Sequence, residues 1–144
     1  MSERVYTRED FARELLPKIG ARATKRNLVA LVAWQRAEGI AGTFNPLNTT
    51  QEMDGATDFN SVGVKNYRTF LQGVEATAKT LNYGADRGLY GYRAIRKRLR
   101  GNSFAWLTLR AVERSAWGTG GLASQVRRDV LRDWDANRRV VISQ

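Results

Sequence analysis

One carboxylate stands out by its neighbours. The segment Trp34-Gln35-Arg36-Ala37-Glu38-Gly39 sets Glu38 at the last turn of an apolar helix, and Phe44-Asn45-Pro46-Leu47-Asn48-Thr49-Thr50 follows as a polar, turn-rich loop. Glycoside cleavage needs a protonated acid at the leaving oxygen and support for an oxocarbenium-like state. A glutamate in water titrates near 4.3 and is ionised at neutral pH. Two features of this position raise that value. The free carbonyls of a helix C-terminus disfavour a carboxylate, and so does the low polarity of the preceding Leu-, Val-, Ala- and Trp-rich run. Arg36, two positions away on the helix, points elsewhere and leaves these effects intact. Asn45, Asn48, Thr49, Thr50 and Gln51 then supply five hydrogen-bonding side chains within seven residues. Such groups suit a sugar, and they equally suit a turn whose Asn and Thr side chains satisfy its own backbone.

What the chain lacks narrows the chemistry. Of its 144 residues none is cysteine and none is histidine. Disulfides, thiolate metal sites, the usual zinc sites and every Ser-His-Asp or Cys-His arrangement are therefore excluded. Carboxylates remain as the acid–base groups of any enzymatic reading, with no metal and no cofactor expected. The length suits one domain, 1–144, with a real core. No apolar run reaches the length of a membrane span. Met1-Ser2-Glu3-Arg4-Val5-Tyr6 lacks the apolar stretch of a secretory signal, so the expectation is a protein carried or released by other machinery.

The net charge of +10 is unevenly distributed. Residues 1–86 hold 11 basic and 10 acidic side chains, whereas residues 87–144 hold 13 basic and 4 acidic. The C-terminal part thus presents a basic surface to an anionic partner: nucleic acid, a membrane surface, an anionic wall polymer or an acidic protein. Arg93, Arg96, Lys97, Arg98 and Arg100 are the candidate anion-binding residues. No zinc finger, RNA-binding signature or phosphate loop accompanies them; Gly118-Thr119-Gly120-Gly121 lacks the Lys-Ser/Thr that a Walker loop requires.

Several helices must position these groups. Thr7-Arg8-Glu9-Asp10 reads as a helix start, with Phe11, Leu15 and Ile19 on one face, Pro17 kinking or ending the helix and Gly20 closing it. Thr24 caps a mostly buried helix over 25–38, with Leu28, Leu31, Val32 and Gln35 on one face and Gly39 after its end. Residues 39–68 are irregular, with a small β-hairpin around 58–67. Helical spacing resumes with Phe70, Val74, Thr77, Ala78 and Leu81 and stops at Gly84. Residues 89–100 form a basic helix with Leu89, Tyr92, Ile95 and Leu99 apolar. Residues 103–115 form another, with Phe104, Leu107, Ala111 and Val112 inward. After a loop over 115–121, residues 122–136 give a last helix carrying Val126, Val130, Leu131 and Trp134, and 138–142 an extended tail. Trp106, Trp117 and Trp134 are expected mainly in packing, with Trp117 the most exposed.

Four segments taken together resemble a known family: Trp34-Gln35-Arg36-Ala37-Glu38-Gly39, Asn45-Pro46-Leu47-Asn48, Gly63-Val64-Lys65-Asn66-Tyr67, and the helix from Gly73 to Leu81. They resemble the lysozyme-like superfamily, in its bacterial glucosaminidase and phage tail-lysozyme branch, including actinobacteriophage tape-measure and lysin proteins. The resemblance covers residues 28–82. It implies a mainly α (α+β) fold, a lysozyme-like helical core with a small β-hairpin, and a peptidoglycan glycan-strand hydrolase: a muramidase, glucosaminidase or lytic transglycosylase. It maps Glu38 to the general acid, Tyr67 to the hairpin aromatic lining the cleft, and Asn45 and Asn48 to the loop beside the acid. Thr49 and Trp117 join them as candidate substrate-binding residues. Glu52, Asp54 and Asp58 are the candidates for a second carboxylate, although none sits in a clear motif. Without one facing Glu38, a retaining pair is excluded. A non-catalytic phage structural or tail-associated protein with the same fold, and a basic nucleic-acid-binding protein, stand as alternatives. The implied setting is a phage virion, or release to the cell wall by phage machinery, with peptidoglycan, another anionic wall polymer or other phage structural proteins as partners.

Overall fold

The computed structural model describes residues 4–119 and 121–142, so Met1–Glu3, Gly120, Ser143 and Gln144 lie outside the described residues, the first two in segments singled out in the sequence. The chain is mainly helical with a small two-stranded antiparallel hairpin. Helix α1 (Arg8–Lys18) opens on a reciprocal cap: the Thr7 hydroxyl accepts from Asp10 N–H and the Asp10 carboxylate accepts from Thr7 N–H. Phe11, Leu15 and Ile19 are all buried, as their spacing predicts. Pro17 falls in the last turn, the helix ends one residue later at Lys18, and the chain leaves at Gly20 in the left-handed region.

Helix α2 (Lys25–Glu38) has the expected bounds, with the Thr24 hydroxyl accepting from Asn27 N–H and Gly39 (φ 68°) as C-cap. Every residue from Asn27 to Gln35 is buried, so α2 is enclosed on all sides rather than on one face. It packs against α1, α5 (Ala105–Glu113) and α6 (Leu122–Arg132). Trp34, fully buried, and Leu31 and Val32, also fully buried, each stabilise the packed state by about 1.5–3 kcal/mol. That packing holds the C-terminal end of α2, and so Glu38, in a fixed position.

Strands β1 (Thr57–Asp58) and β2 (Lys65–Asn66) pair with Thr57 opposite Asn66 and Asp58 opposite Lys65. Helix α3 (Phe70–Arg87) runs three residues beyond Gly84, where the spacing predicts a stop, and ends at Gly88 in the αL conformation. Gly84 is a contact rather than a terminator: a Cβ there would lie 2.5 Å from Tyr92 Cδ2. Helix α4 (Tyr92–Arg100) starts later than expected, after the turn containing Leu89, which is 40% exposed and not inward. In α5 the inward face is Thr108, Leu109 and Val112; Phe104, expected inward, lies outside the helix and is exposed. The predicted last helix divides at Asp133 into α6 and α7 (Trp134–Arg138), and Leu131 is exposed. The tail crosses back to the N-terminal segment, with Arg8 N–H donating to Val140 O and Ile142 N–H to Tyr6 O.

Candidate functional site

Glu38 is half-buried at the end of α2. The Trp34 indole Nε1–H, one turn earlier, donates to Glu38 Oε1 at 3.1 Å. Burial pushes the Glu38 carboxyl above its ordinary value; the Trp34, Asn48 and Trp117 N–H groups act in the opposite sense without cancelling it. No cation pairs with Glu38 among the described residues. Arg36 leaves on another face of α2, donating to Asn137 Oδ1 at 2.6 Å. Glu38 is thus a carboxyl biased toward its protonated form, with a neutral N–H donor that fixes its orientation.

An open recess of about 200 Å³ is lined by Asn48, Thr49, Thr50, Thr80, Tyr92, Ala116 and Trp117; Glu38 is not itself among the lining and adjoins it through Asn48 and Trp117. Two of these residues, Asn48 and Trp117, also act on the Glu38 carboxyl. Trp117 is fixed at both ends. Its Nε1–H donates to Leu47 O at 2.8 Å, and its ring meets Trp34 edge-on at 5.0 Å and Tyr92 at 5.4 Å. Trp117 thus links the Trp34 and Tyr92 rings into one aromatic cluster. Thr50 is exposed, and its hydroxyl is not engaged by any described residue, which leaves a free donor and acceptor at the recess.

The loop before the recess is held by its own amides. Asn45 is fully buried; its Nδ2 donates to Thr49 O and Lys65 O, and its Oδ1 accepts from Thr49 N–H. It ties the loop to the hairpin and offers nothing to a ligand, which corrects its assignment as a substrate contact. Asn48 sits at φ 57°, a conformation Asn tolerates. Its side chain bridges Gly42 N–H and Ile40 O while still lining the recess. Thr49 is buried, sharing a 2.6 Å hydroxyl contact with Thr80, so its edge and not its full side chain meets the recess.

Tyr67 is a second correction. It is 3% exposed, its hydroxyl donates to Gln51 O at 2.6 Å, and it does not line the recess. Burial, helped by the Glu52 charge, holds its phenol well above the ordinary range. Two of the three candidate second carboxylates are engaged within the protein. Glu52 and Asp58 both pair with Lys65 Nζ, at 2.8 and 2.7 Å, and Asp54 is exposed. None of the three is among the groups that shift the Glu38 carboxyl.

The basic cluster divides by role. Arg93 Nε–H donates to Ala85 O, Arg96 pairs with Asp86 at 2.7 Å, and Arg100 Nε–H donates to Ile19 O. These three close the ends of α3 and α1 and are not free for an anion. Lys97 and Arg98 are exposed, and their side chains engage no described residue. Trp106, 43% exposed, and not Trp117, is the open tryptophan.

Tyr92, Thr80 and Ala116 belong to the recess although local spacing gives no sign of it. Each arrives through packing of α3, α4 and the 115–119 loop against a loop far away in the chain. No group of three or more potential metal-ligating side chains occurs among the described residues, and no helix there is long and apolar enough to cross a membrane. Compared with family models, with curated proteins and with solved structures, the chain has no match.

Proposed function

We propose that this chain is a glycosidase of lysozyme-like type that cleaves the N-acetylated glycan strand of peptidoglycan, with Glu38 as the general acid. The observation that carries the reading is the state of that carboxyl. It is half-buried, shifted toward the protonated form, free of any cation among the described residues, and held by Trp34 beside an open polar recess. Each of these features inclines a carboxyl to keep the proton that a glycosidic oxygen must receive.

A lone carboxyl favours one course among the glycan-cleaving reactions. Glu38 gives its proton to the leaving oxygen as the C1–O bond breaks, and an oxocarbenium-like sugar results. A hydroxyl of the same sugar then bonds to C1 and returns its proton to the Glu38 carboxylate. Atoms and charge balance without a second acid, and the product carries an internal anhydro ring in place of a new reducing end. In this reading Thr50, together with the edges of Asn48 and Trp117, holds the sugar.

Clearing of a purified cell-wall suspension tests the reading. The full chain clears the suspension and Glu38→Gln does not; equal clearing by both rejects Glu38 as the acid. A second reading, a phage structural protein that shares the fold and has no activity, is favoured by one observation: the Asn45, Asn48 and Tyr67 polar groups are all engaged within the protein. Absence of clearing by the wild-type chain, with the chain at fixed copy number in purified particles, selects that reading.

A further inference from the structure

A second concavity, between α4 and α5, has a different chemistry. It encloses about 410 Å³ and is lined by Arg98, Trp106, Arg110 and Arg114 together with small residues such as Ala94 and Ala111; no acidic side chain is among its lining. Trp106, Arg110 and Arg114 follow one another at four-residue intervals, so they lie along one edge of α5 and its C-cap, about 6 Å apart in rise. Arg98, Arg110 and Arg114 are exposed, and their guanidinium groups engage no described residue. They differ in this from Arg93, Arg96 and Arg100, which are tied to the protein's own carbonyls and to Asp86. Three free cations and an open indole therefore share one groove without a counter-charge.

We propose that this groove binds single-stranded nucleic acid, with the three arginines on successive phosphates and the Trp106 ring stacked on an unpaired base. Each half of the pair has its own reason. Arginines neutralise phosphates wherever an anionic polymer runs. An aromatic ring among them adds a sequence-tolerant contact with a base face, which only an unpaired strand exposes. A duplex hides those faces. A bare polymer of phosphates or carboxylates would satisfy the arginines and leave Trp106 without a partner. The proposal does not rest on the glycosidase reading, since no residue of this groove lines the Glu38 recess.

Fluorescence anisotropy with a labelled 12-residue oligo(dT), titrated with the full chain at several NaCl concentrations, tests it. Three phosphate contacts on a single strand give a slope of log K against log salt of about −2. Arg110→Ala/Arg114→Ala reduces that slope to about −0.7. Trp106→Ala weakens binding by about 5- to 150-fold and leaves the slope unchanged, while Trp106→Phe keeps part of the affinity. Lys79→Ala, which removes one exposed charge elsewhere, changes neither quantity; circular dichroism checks that each variant is folded. The proposal is overturned by any of four results: no binding at 50 mM salt, equal affinity for a duplex of the same length, full affinity in Trp106→Ala, or displacement by poly(glycerol phosphate) as effective, per phosphate, as displacement by unlabelled oligo(dT).

Discussion

Trp34 Nε1 stands 3.1 Å from Glu38 Oε1, one helical turn away on α2. The indole can only donate, so this contact favours the charged form of Glu38, while burial favours the neutral form and prevails. Activity that depends on the protonated acid therefore persists to higher pH than an ordinary glutamate permits, and falls as pH rises through the elevated value. Trp34→Phe removes the opposing N–H, so the falling limb of the kcat/KM–pH profile moves further up. A limb that stays in place means the contact does not tune the acid.

The same carboxyl makes stability depend on pH. Its proton affinity is higher folded than unfolded, so its contribution is complete below the unfolded value of about 4.3 and is lost as pH rises through the folded value. Glu38→Gln carries no such dependence. Relative to wild type, the variant therefore gains stability between pH 4 and pH 8, as read from urea midpoints at the two pH values. A constant difference contradicts the raised value.

The hairpin carboxylates are not expected to take part in cleavage. Glu52 and Asp58 converge on Lys65 Nζ, and each leaves the other in place when removed alone. Wall clearing by Glu52→Gln, Asp54→Asn and Asp58→Asn should each remain within about threefold of wild type, well short of the 10²- to 10⁴-fold contribution of a positioned acid or base. A loss of that larger size in any one of them restores a two-carboxylate mechanism.

Local rules succeed here where the answer is local. Thr7, Thr24, Gly39 and the spacing of Phe11, Leu15 and Ile19 are enough to place α1 and α2, and with α2 the end-of-helix setting of Glu38. They fail where a distant element decides. Gly84 reads as a stop because nothing in its vicinity announces that Tyr92 will close on it. The resemblance maps Tyr67 to a cleft aromatic, and nothing near it in the chain announces Gln51 O, which takes its hydroxyl. The five polar side chains after Glu38 illustrate the same division. Their composition fits both a sugar site and a self-satisfied turn, and only the three-dimensional partners separate Asn45, which is wholly internal, from Thr50, which is open. The basic cluster of α4 is divided in the same way, by carbonyls of α1 and α3 that happen to end beside it.

Asn45 gives a clean test of that separation. Asn45→Ala strips partners from Thr49 N–H, Thr49 O and Lys65 O in a buried setting. Leaving such groups unpaired costs about 1–3 kcal/mol each before relaxation, so a loss of about 3 kcal/mol in unfolding free energy is expected from denaturant titration. Asn48→Ala, at a half-exposed site, should cost less stability while weakening clearing. The reverse ranking means that Asn45 and not Asn48 serves the recess.

Gly73 sets the final test, because it fixes how closely the 42–48 loop lies on α3. A Cβ on Gly73 would stand 1.8 Å from Phe44 O, a backbone atom that cannot swing aside, and Phe44 itself is held at φ 52°. A positive φ at an aromatic residue is strained by about 1–3 kcal/mol and persists only when surrounding packing enforces it. Here the Tyr6 ring meets Phe44 edge-on at 6.2 Å. Gly73→Ala must lift the loop, and with it Asn45 and Asn48, away from the end of α2. The expected result is a destabilisation of about 1–3 kcal/mol and a drop in clearing larger than that of Gly101→Ala, at the C-cap of α4, where a Cβ meets Lys97 O at 3.2 Å and no recess residue. Equal loss of clearing in the two variants, at equal stability, means the loop does not depend on this contact for its placement beside Glu38.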